Sequence, residues 1–254
     1  MKKLVALACG LLLALGAAFG FAACSDGDTL KVGVTKYPPM DYIDETTGEW
    51  TGFDAELAEK AFGELGYEVE FVEIVWDTKI MSLQSGEIDA IWNGMTVTDE
   101  LKQNILLSDP YMTNQQVLVI RTEDADAYKT QEDLAKASKI AFEGGSAADT
   151  ILSEMDALRE DQLLSMEKQV DTFLEVKTGS SDVAVVDLAL AKETVGQGDF
   201  ADLTYVNVGF ASEEFAVGFR KEDTELCQKI NELLAKYKED GTITQLGEKY
   251  GVTV

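Results

Sequence analysis

Histidine is absent from this 254-residue chain. Its absence excludes Ser-His-Asp and Cys-His catalysis and histidine-ligated metal sites. Enzymatic chemistry on this chain would have to run on carboxylates or hydroxyls. Cysteine is nearly absent, with three in all. Cys9 and Cys24 lie in the N-terminal segment, which leaves Cys227 as a lone thiol. No intrachain disulfide is then possible in a processed chain, and a zinc site is implausible. Cys227 falls in a helical pattern with Leu226, Ile230, Leu233 and Leu234, and reads as a small buried hydrophobe. Basic residues are scarce too: 21 Lys and Arg stand against 47 Asp and Glu, a formal net charge of −26. Such a surface argues against nucleic acid and anionic lipid headgroups as partners, and in favour of a solvated, soluble exterior. Past Phe21 no segment is apolar enough to span a bilayer.

What is present begins with a targeting segment. Lys2 and Lys3 form a positive start, Leu4 to Phe21 is apolar, and Ala22-Ala23 are the small residues that a signal peptidase site requires. Phe21-Ala22-Ala23-Cys24 resembles a bacterial lipobox, in which Cys24 becomes the lipid-modified first residue. Residues 1–23 are thus read as a lipoprotein signal peptide and 24–28 as a polar tether. Two or more acyl chains would anchor the mature protein stably outside the cytoplasmic membrane.

The remaining sequence alternates strand and helix patterns. Leu30–Val34, Val69–Ile74 and Ile88–Trp92 read as strands. Between them lie a helix over Phe53–Leu65, with its apolar residues at helical spacing, stopped by Gly66, and a short helix around Ile80–Leu83. This βαβαβ order predicts a parallel sheet with covering helices. A second set follows: strands at Val117–Ile120, Lys139–Phe142 and Asp182–Val186, and helices from about Ala147 to Met155 and over Leu188–Val195. Val206, Val208 and Ala216–Phe219 then lead to two last helices, Thr224–Glu239 and Ile243–Tyr250. The pattern predicts two α/β lobes, residues 29–114 with 207–254 and residues 115–206, with chain crossings near Thr113–Gln116 and Val206–Ala211. Ligands of such sheets bind beyond the carboxyl ends of the strands, here in a cleft between lobes that closes by a hinge.

Six blocks in order carry a family resemblance: Tyr37-Pro38-Pro39-Met40, Gly52-Phe53-Asp54-Ala55-Glu56-Leu57-Ala58, Trp76-Asp77, Ser85-Gly86-Glu87-Ile88-Asp89-Ala90, Asn93-Gly94-Met95-Thr96-Val97-Thr98 and Leu107-Ser108-Asp109-Pro110-Tyr111. Together they resemble family 3 of the extracytoplasmic solute-binding proteins, the receptors that feed polar amino acids to ABC importers. The resemblance implies the two-lobed type II periplasmic-binding-protein fold with two hinge crossings. It also implies a lipid-anchored monomer that passes a small solute to a permease, with no cofactor and no catalytic residue.

Carried over residue by residue, the resemblance makes Tyr37 and Trp76 the aromatic walls of the cleft. Asn93, Gly94 and Thr96 form a loop whose backbone and hydroxyl would meet the head group of an amino acid, with Gly94 permitting close approach. Gly145, Ser146 and Ala147 open a helix whose free N–H groups favour an anion; the family usually has a hydroxyl residue where Ala147 stands. Asp187 resembles the carboxylate that grips the ammonium, or else it is a helix N-cap.

One position departs from the family pattern. After Thr98-Asp99-Glu100 the family carries an arginine, and this chain has Leu101. Lys102 would point about 100° away on a helix. Three explanations stand: a ligand without an α-carboxylate, a carboxylate held by the Ser146 helix start and the Gly94–Thr96 loop alone, or a basic residue reaching in from elsewhere.

The primary reading is a receptor for an amino acid or close derivative. An exported dehydratase on the same scaffold would need a general acid in the cleft; Glu143 is its candidate, set against the plainer reading of a solvent-facing charge. A surface lipoprotein that has lost solute binding is the third reading. The retained Tyr37, Trp76, Thr96 and Asp187 argue against it.

Overall fold

The structure is a computed structural model describing residues 28–254. The leader at 1–23, lipidation at Cys24 and the tether as far as Gly27 lie outside the described residues.

Two sheets organise the chain. The first runs in the order Glu68–Glu73, Thr29–Val34, Ala90–Ile91, Gly218–Phe219, Leu106–Leu107. Its first three strands are parallel, as the βαβαβ pattern predicts, and Gly218–Phe219 runs antiparallel to both neighbours. The covering helix Phe53–Glu64 buries Phe53, Leu57, Ala58, Ala61 and Phe62 on one face, and the C-terminal helices Thr224–Glu239 and Thr242–Tyr250 pack beside it. Gly52, which leads into that helix, has φ 129°, and a Cβ there would stand 2.1 Å from the Met40 carbonyl oxygen. No L side chain fits that position.

The second sheet orders Leu203–Val206, Met112–Arg121, Val183–Asp187, Ile140–Glu143 and Leu163–Met166. Every residue of Val183–Asp187 and of Ile140–Glu143 is buried, as expected of parallel strands covered on both faces. The helices Ala147–Ser153, Thr172–Thr178 and Leu188–Thr194 accompany this sheet.

The long strand Met112–Arg121 joins the two halves. Its start pairs with Ser212–Phe215 and its end with Leu203–Val206. The two crossings are therefore neighbouring antiparallel strands.

Several boundaries differ from expectation. The strand expected over Ile88–Trp92 shortens to Ala90–Ile91, although Asp89 N–H still bonds to the Lys31 carbonyl (2.7 Å). The strand at Val117–Ile120 starts five residues earlier, because the crossing itself is extended. The strand Leu163–Met166 and the helices Thr172–Thr178 and Asp99–Asn104 were not part of the sequence pattern. Cys227 is buried, as expected. Among the described residues no helix is long and apolar enough to cross a membrane.

Candidate functional site

Five segments converge between the sheets, and each follows the carboxyl end of a parallel strand. Tyr37 follows Thr29–Val34, Trp76 follows Glu68–Glu73, and the Asn93–Thr96 loop follows Ala90–Ile91. From the other side come Glu143 with Gly145–Ala147, after Ile140–Glu143, and Asp187, at the end of Val183–Asp187. They line one cleft enclosing about 480 Å³, its open mouth included. All ten residues singled out in the sequence (Tyr37, Trp76, Asn93, Gly94, Thr96, Leu101, Gly145, Ser146, Ala147 and Asp187) border it.

The floor of the cleft is acidic and held by a network of side-chain amides. Asp187 stands at the N-cap position of Leu188–Thr194, but its side chain caps nothing there. Its Oδ1 accepts from Asn114 Nδ2 and from Gln116 Nε2 (2.9 Å), and its Oδ2 accepts from Gln169 Nε2 (2.6 Å). Capping falls instead to Asn114, whose Oδ1 accepts from the Ala189 N–H (3.4 Å). Gln116 Nε2 also donates to Glu213 Oε1 (2.9 Å), and the Thr96 hydroxyl donates to Glu213 Oε2. Burial, followed by the negative charge of Glu213, raises Asp187 to about 7. Glu213 is raised by burial as well.

The first-lobe wall spends most of its polar groups inward. Gly94, at φ 55°, donates its N–H to Asp54 Oδ2 (2.5 Å), and a Cβ on it would stand 2.4 Å from the Tyr37 ring. Tyr111 donates its hydroxyl to the same Asp54 oxygen (2.7 Å). Asn93 is committed to Thr35, accepting from its N–H (2.8 Å) and donating to its hydroxyl (2.9 Å). Neither the Gly94 amide nor the Asn93 side chain is therefore free for a ligand, contrary to the simplest reading of this loop. The buried Tyr37 hydroxyl has no partner among the described residues.

The opposite wall meets the first lobe at close range. Ser146 caps Ala147–Ser153, its Oγ accepting from the Asp149 N–H (3.4 Å). Gly145 has φ 69°, and a Cβ there would lie 2.8 Å from Asp77 Cα across the cleft. Its carbonyl accepts from Lys79 Nζ (2.7 Å). Lys79 also donates to the Trp76 carbonyl (3.3 Å) and lies 4.8 Å from the centre of the Trp76 ring. Near the rim, Lys168 pairs with Glu73 (2.5 Å). The Lys79–Gly145 and Lys168–Glu73 contacts tie the two walls together across the cleft.

One expectation changes and one holds. Glu143 is not solvent-facing: it is 4% exposed, because it ends a strand buried in the middle of a sheet and its side chain lines the cleft. It accepts from the Gln169 N–H (3.1 Å), and burial raises it to about 8. Lys102 points away as predicted and pairs with Asp99 on the surface. Leu101 is buried against Trp76, Met95 and Ile105, with its N–H bonded to the Thr98 hydroxyl (3.2 Å).

Comparison with known proteins places this geometry. The profile of the bacterial extracellular solute-binding proteins, family 3, matches residues 30–253. The chain belongs to that family. It is 30% identical to the ABC transporter glutamine-binding protein GlnH of Bacillus subtilis over 233 residues, covering 90% of this chain and 83% of that protein. An ancestral arginine-binding protein bound to arginine superposes with a TM-score of 0.82 at 34% identity, covering 89% of this chain and 99% of that one. An ancestral amino acid-binding protein described as a precursor of cyclohexadienyl dehydratase superposes at 0.80 and 35% identity, covering 87% and 95%.

For a solute-binding protein of this family, the cleft offers two buried carboxylates, Glu143 and Asp187, two aromatic faces and a lysine. Asn114, Gln116, Gln169, Glu213 and Lys79 were not singled out in the sequence. Amides on strands and turns carry no periodic signal. Lys79 occupies the first turn of a short helix, where a lysine ordinarily reads as a solvated charge.

Proposed function

We propose that the protein is an extracytoplasmic receptor of an ABC importer. It binds an amino acid or close derivative between its lobes and delivers it to the permease. Lipid on Cys24 holds it to the membrane, it works as a monomer, and the lobes divide as 29–114 with 207–254 and 115–206. The relatives support this reading, being described as glutamine- and arginine-binding proteins.

The observation that carries the reading is the asymmetry of charge in the cleft. Asp187 lines it with Glu213 bonded behind, and Glu100 stands on the first-lobe side, against one lysine, an arrangement that favours a solute with a positive group. The test is a thermal-shift screen of the processed protein against the proteinogenic amino acids, their amines and amides, and betaines. A ligand at about 100 times its dissociation constant stabilises by ~2.7 kcal/mol. Stabilisation by cationic amino acids supports the reading, and silence across the panel overturns it.

A second reading rests on Glu143. A buried carboxyl raised to about 8 is protonated at neutral pH and is placed to donate a proton in the cleft. One structural relative is described as a dehydratase precursor. Incubation with a cyclic amino-acid precursor separates the two: turnover abolished by Glu143→Gln would establish an enzyme, and binding without turnover a receptor.

A further inference from the structure

Among the described residues Lys79 is the only basic side chain lining the cleft. It is 6% exposed. The hydrogen bonds of its ammonium go to two carbonyl oxygens, Gly145 and Trp76, and no described carboxylate pairs with it. Glu143, Glu100, Asp77 and Asp149 act on this ammonium only at longer range, and a charge removed from water is best compensated by an opposite charge in direct contact as well as by hydrogen bonds. The Trp76 face offsets part of that deficit. The remainder would be met by an anion entering the cleft.

The surroundings limit where that anion can sit. Asp187 lies on the floor with Glu213 bonded behind it, Glu143 lines the second-lobe side and Glu100 the first-lobe side, so none of these places offers an anion a positive partner. Leu101 presents hydrocarbon on the first-lobe side, and Lys102 faces solvent. Lys79 is the one fixed positive charge left. Given the receptor reading above, on which this inference rests, we propose that Lys79 takes the carboxylate of the bound amino acid, while the acidic floor takes its positive groups. The ligand then exchanges one of the carbonyl contacts of Lys79 for its own oxygen. A lysine grips as a point charge where an arginine would fork, so the site holds the carboxylate through one atom and tolerates variation in its angle.

The proposal also separates two jobs that Lys79 performs. As a link between lobes through Gly145, it would affect every ligand alike. As a carboxylate partner, it affects carboxylates alone. The experiment therefore compares each amino acid with its decarboxylated amine: L-arginine with agmatine, and L-glutamine with 4-aminobutanamide. Calorimetry on the wild type, Lys79→Met and Lys79→Arg reads the ratio of the two affinities, with circular dichroism verifying the fold. The wild type should prefer the amino acid, and Lys79→Met should lower that preference roughly 30-fold or more, as for loss of one partner in a buried charged pair. Lys79→Arg should keep it. An equal loss for amino acid and amine in Lys79→Met, or an unchanged ratio, would overturn the carboxylate role and leave the receptor standing. A wild type that prefers the amines would do the same. A wild type that binds none of the four probes would overturn the receptor reading and the assignment together.

Discussion

Asp187 and Glu213 share a single amide: Gln116 Nε2 lies 2.9 Å from an oxygen of each. Asp187 ends a strand of the second sheet, and Glu213 belongs to a crossing strand. One side chain thus moderates the repulsion between a buried and a half-buried carboxylate beside the crossing strands. Replacing it as Gln116→Leu removes a donor from both, and an orphaned buried acceptor costs about 1–3 kcal/mol. Urea unfolding should show a loss in that range. An unchanged midpoint would mean that water replaces the amide.

Asp187 is held by three amides, and in the proposed receptor its charge meets the ligand ammonium. Asp187→Asn keeps the volume and removes the charge. Affinity for a cationic amino acid should fall by ~2–5 kcal/mol, with circular dichroism verifying the fold because the new NH2 group faces an amide donor. Binding within threefold of the wild type would remove Asp187 from the site.

The acidic cluster sets a pH dependence. Asp187 is raised to about 7 and Glu143 to about 8, each chiefly by burial. At a pH below about 4 these groups are protonated in the folded and unfolded chain alike. Above it the unfolded chain ionises while the folded one holds its protons, so stability falls as pH rises until about pH 8 and then levels. The ligand-free protein should therefore unfold at higher urea at pH 5 than at pH 8. Glu143→Gln should flatten that slope, and a slope identical to the wild type would contradict the raised value. A cationic ligand should bind more tightly at pH 8 than at pH 6, releasing protons as Asp187 ionises. Calorimetry in two buffers of different ionisation enthalpy would detect the release.

Gly94 combines a left-handed backbone with a close approach to Tyr37. Gly94→Ala faces both restrictions. Left-handed backbone alone costs about 1–2 kcal/mol, and the 2.4 Å approach forces the Tyr37 ring to shift. Thermal unfolding should show the destabilisation, and ligand affinity should drop with it. Weakened binding at unchanged stability would argue that the loop relaxes and the aromatic wall alone moves.

The fold was legible wherever hydrophobic periodicity was strong. Thr29–Val34, Phe53–Glu64 and Thr224–Glu239 lie within a residue of where the pattern puts them. Leu163–Met166 escaped notice because it is a half-buried edge strand with little apolar contrast. The family resemblance located ten residues that line one cleft, but it said little about what each polar atom does. Asn93 is occupied by Thr35, and the Gly94 amide by Asp54. The positions of Lys79 and Glu143 are set by the packing of two lobes, through contacts between residues 66 apart in sequence. No local pattern encodes such pairs.

The pairing of Met112–Arg121 with two later strands also bears on the order in which the chain can assemble. Leu118 faces Val206, so five strands of the second sheet come from residues 112–206 in one unbroken stretch, and only Ser212–Phe215, beside the start of Met112–Arg121, comes later. The first sheet has no such stretch. Leu106–Leu107 has no strand neighbour in that sheet until Gly218–Phe219 inserts beside Ala90–Ile91. A chain emerging from its N-terminus should therefore finish its second half while its first half waits, open at the middle, for a strand made more than a hundred residues later. Such distant closures are slow, and the waiting interval is when an export or folding helper would have the most exposed surface to recognise.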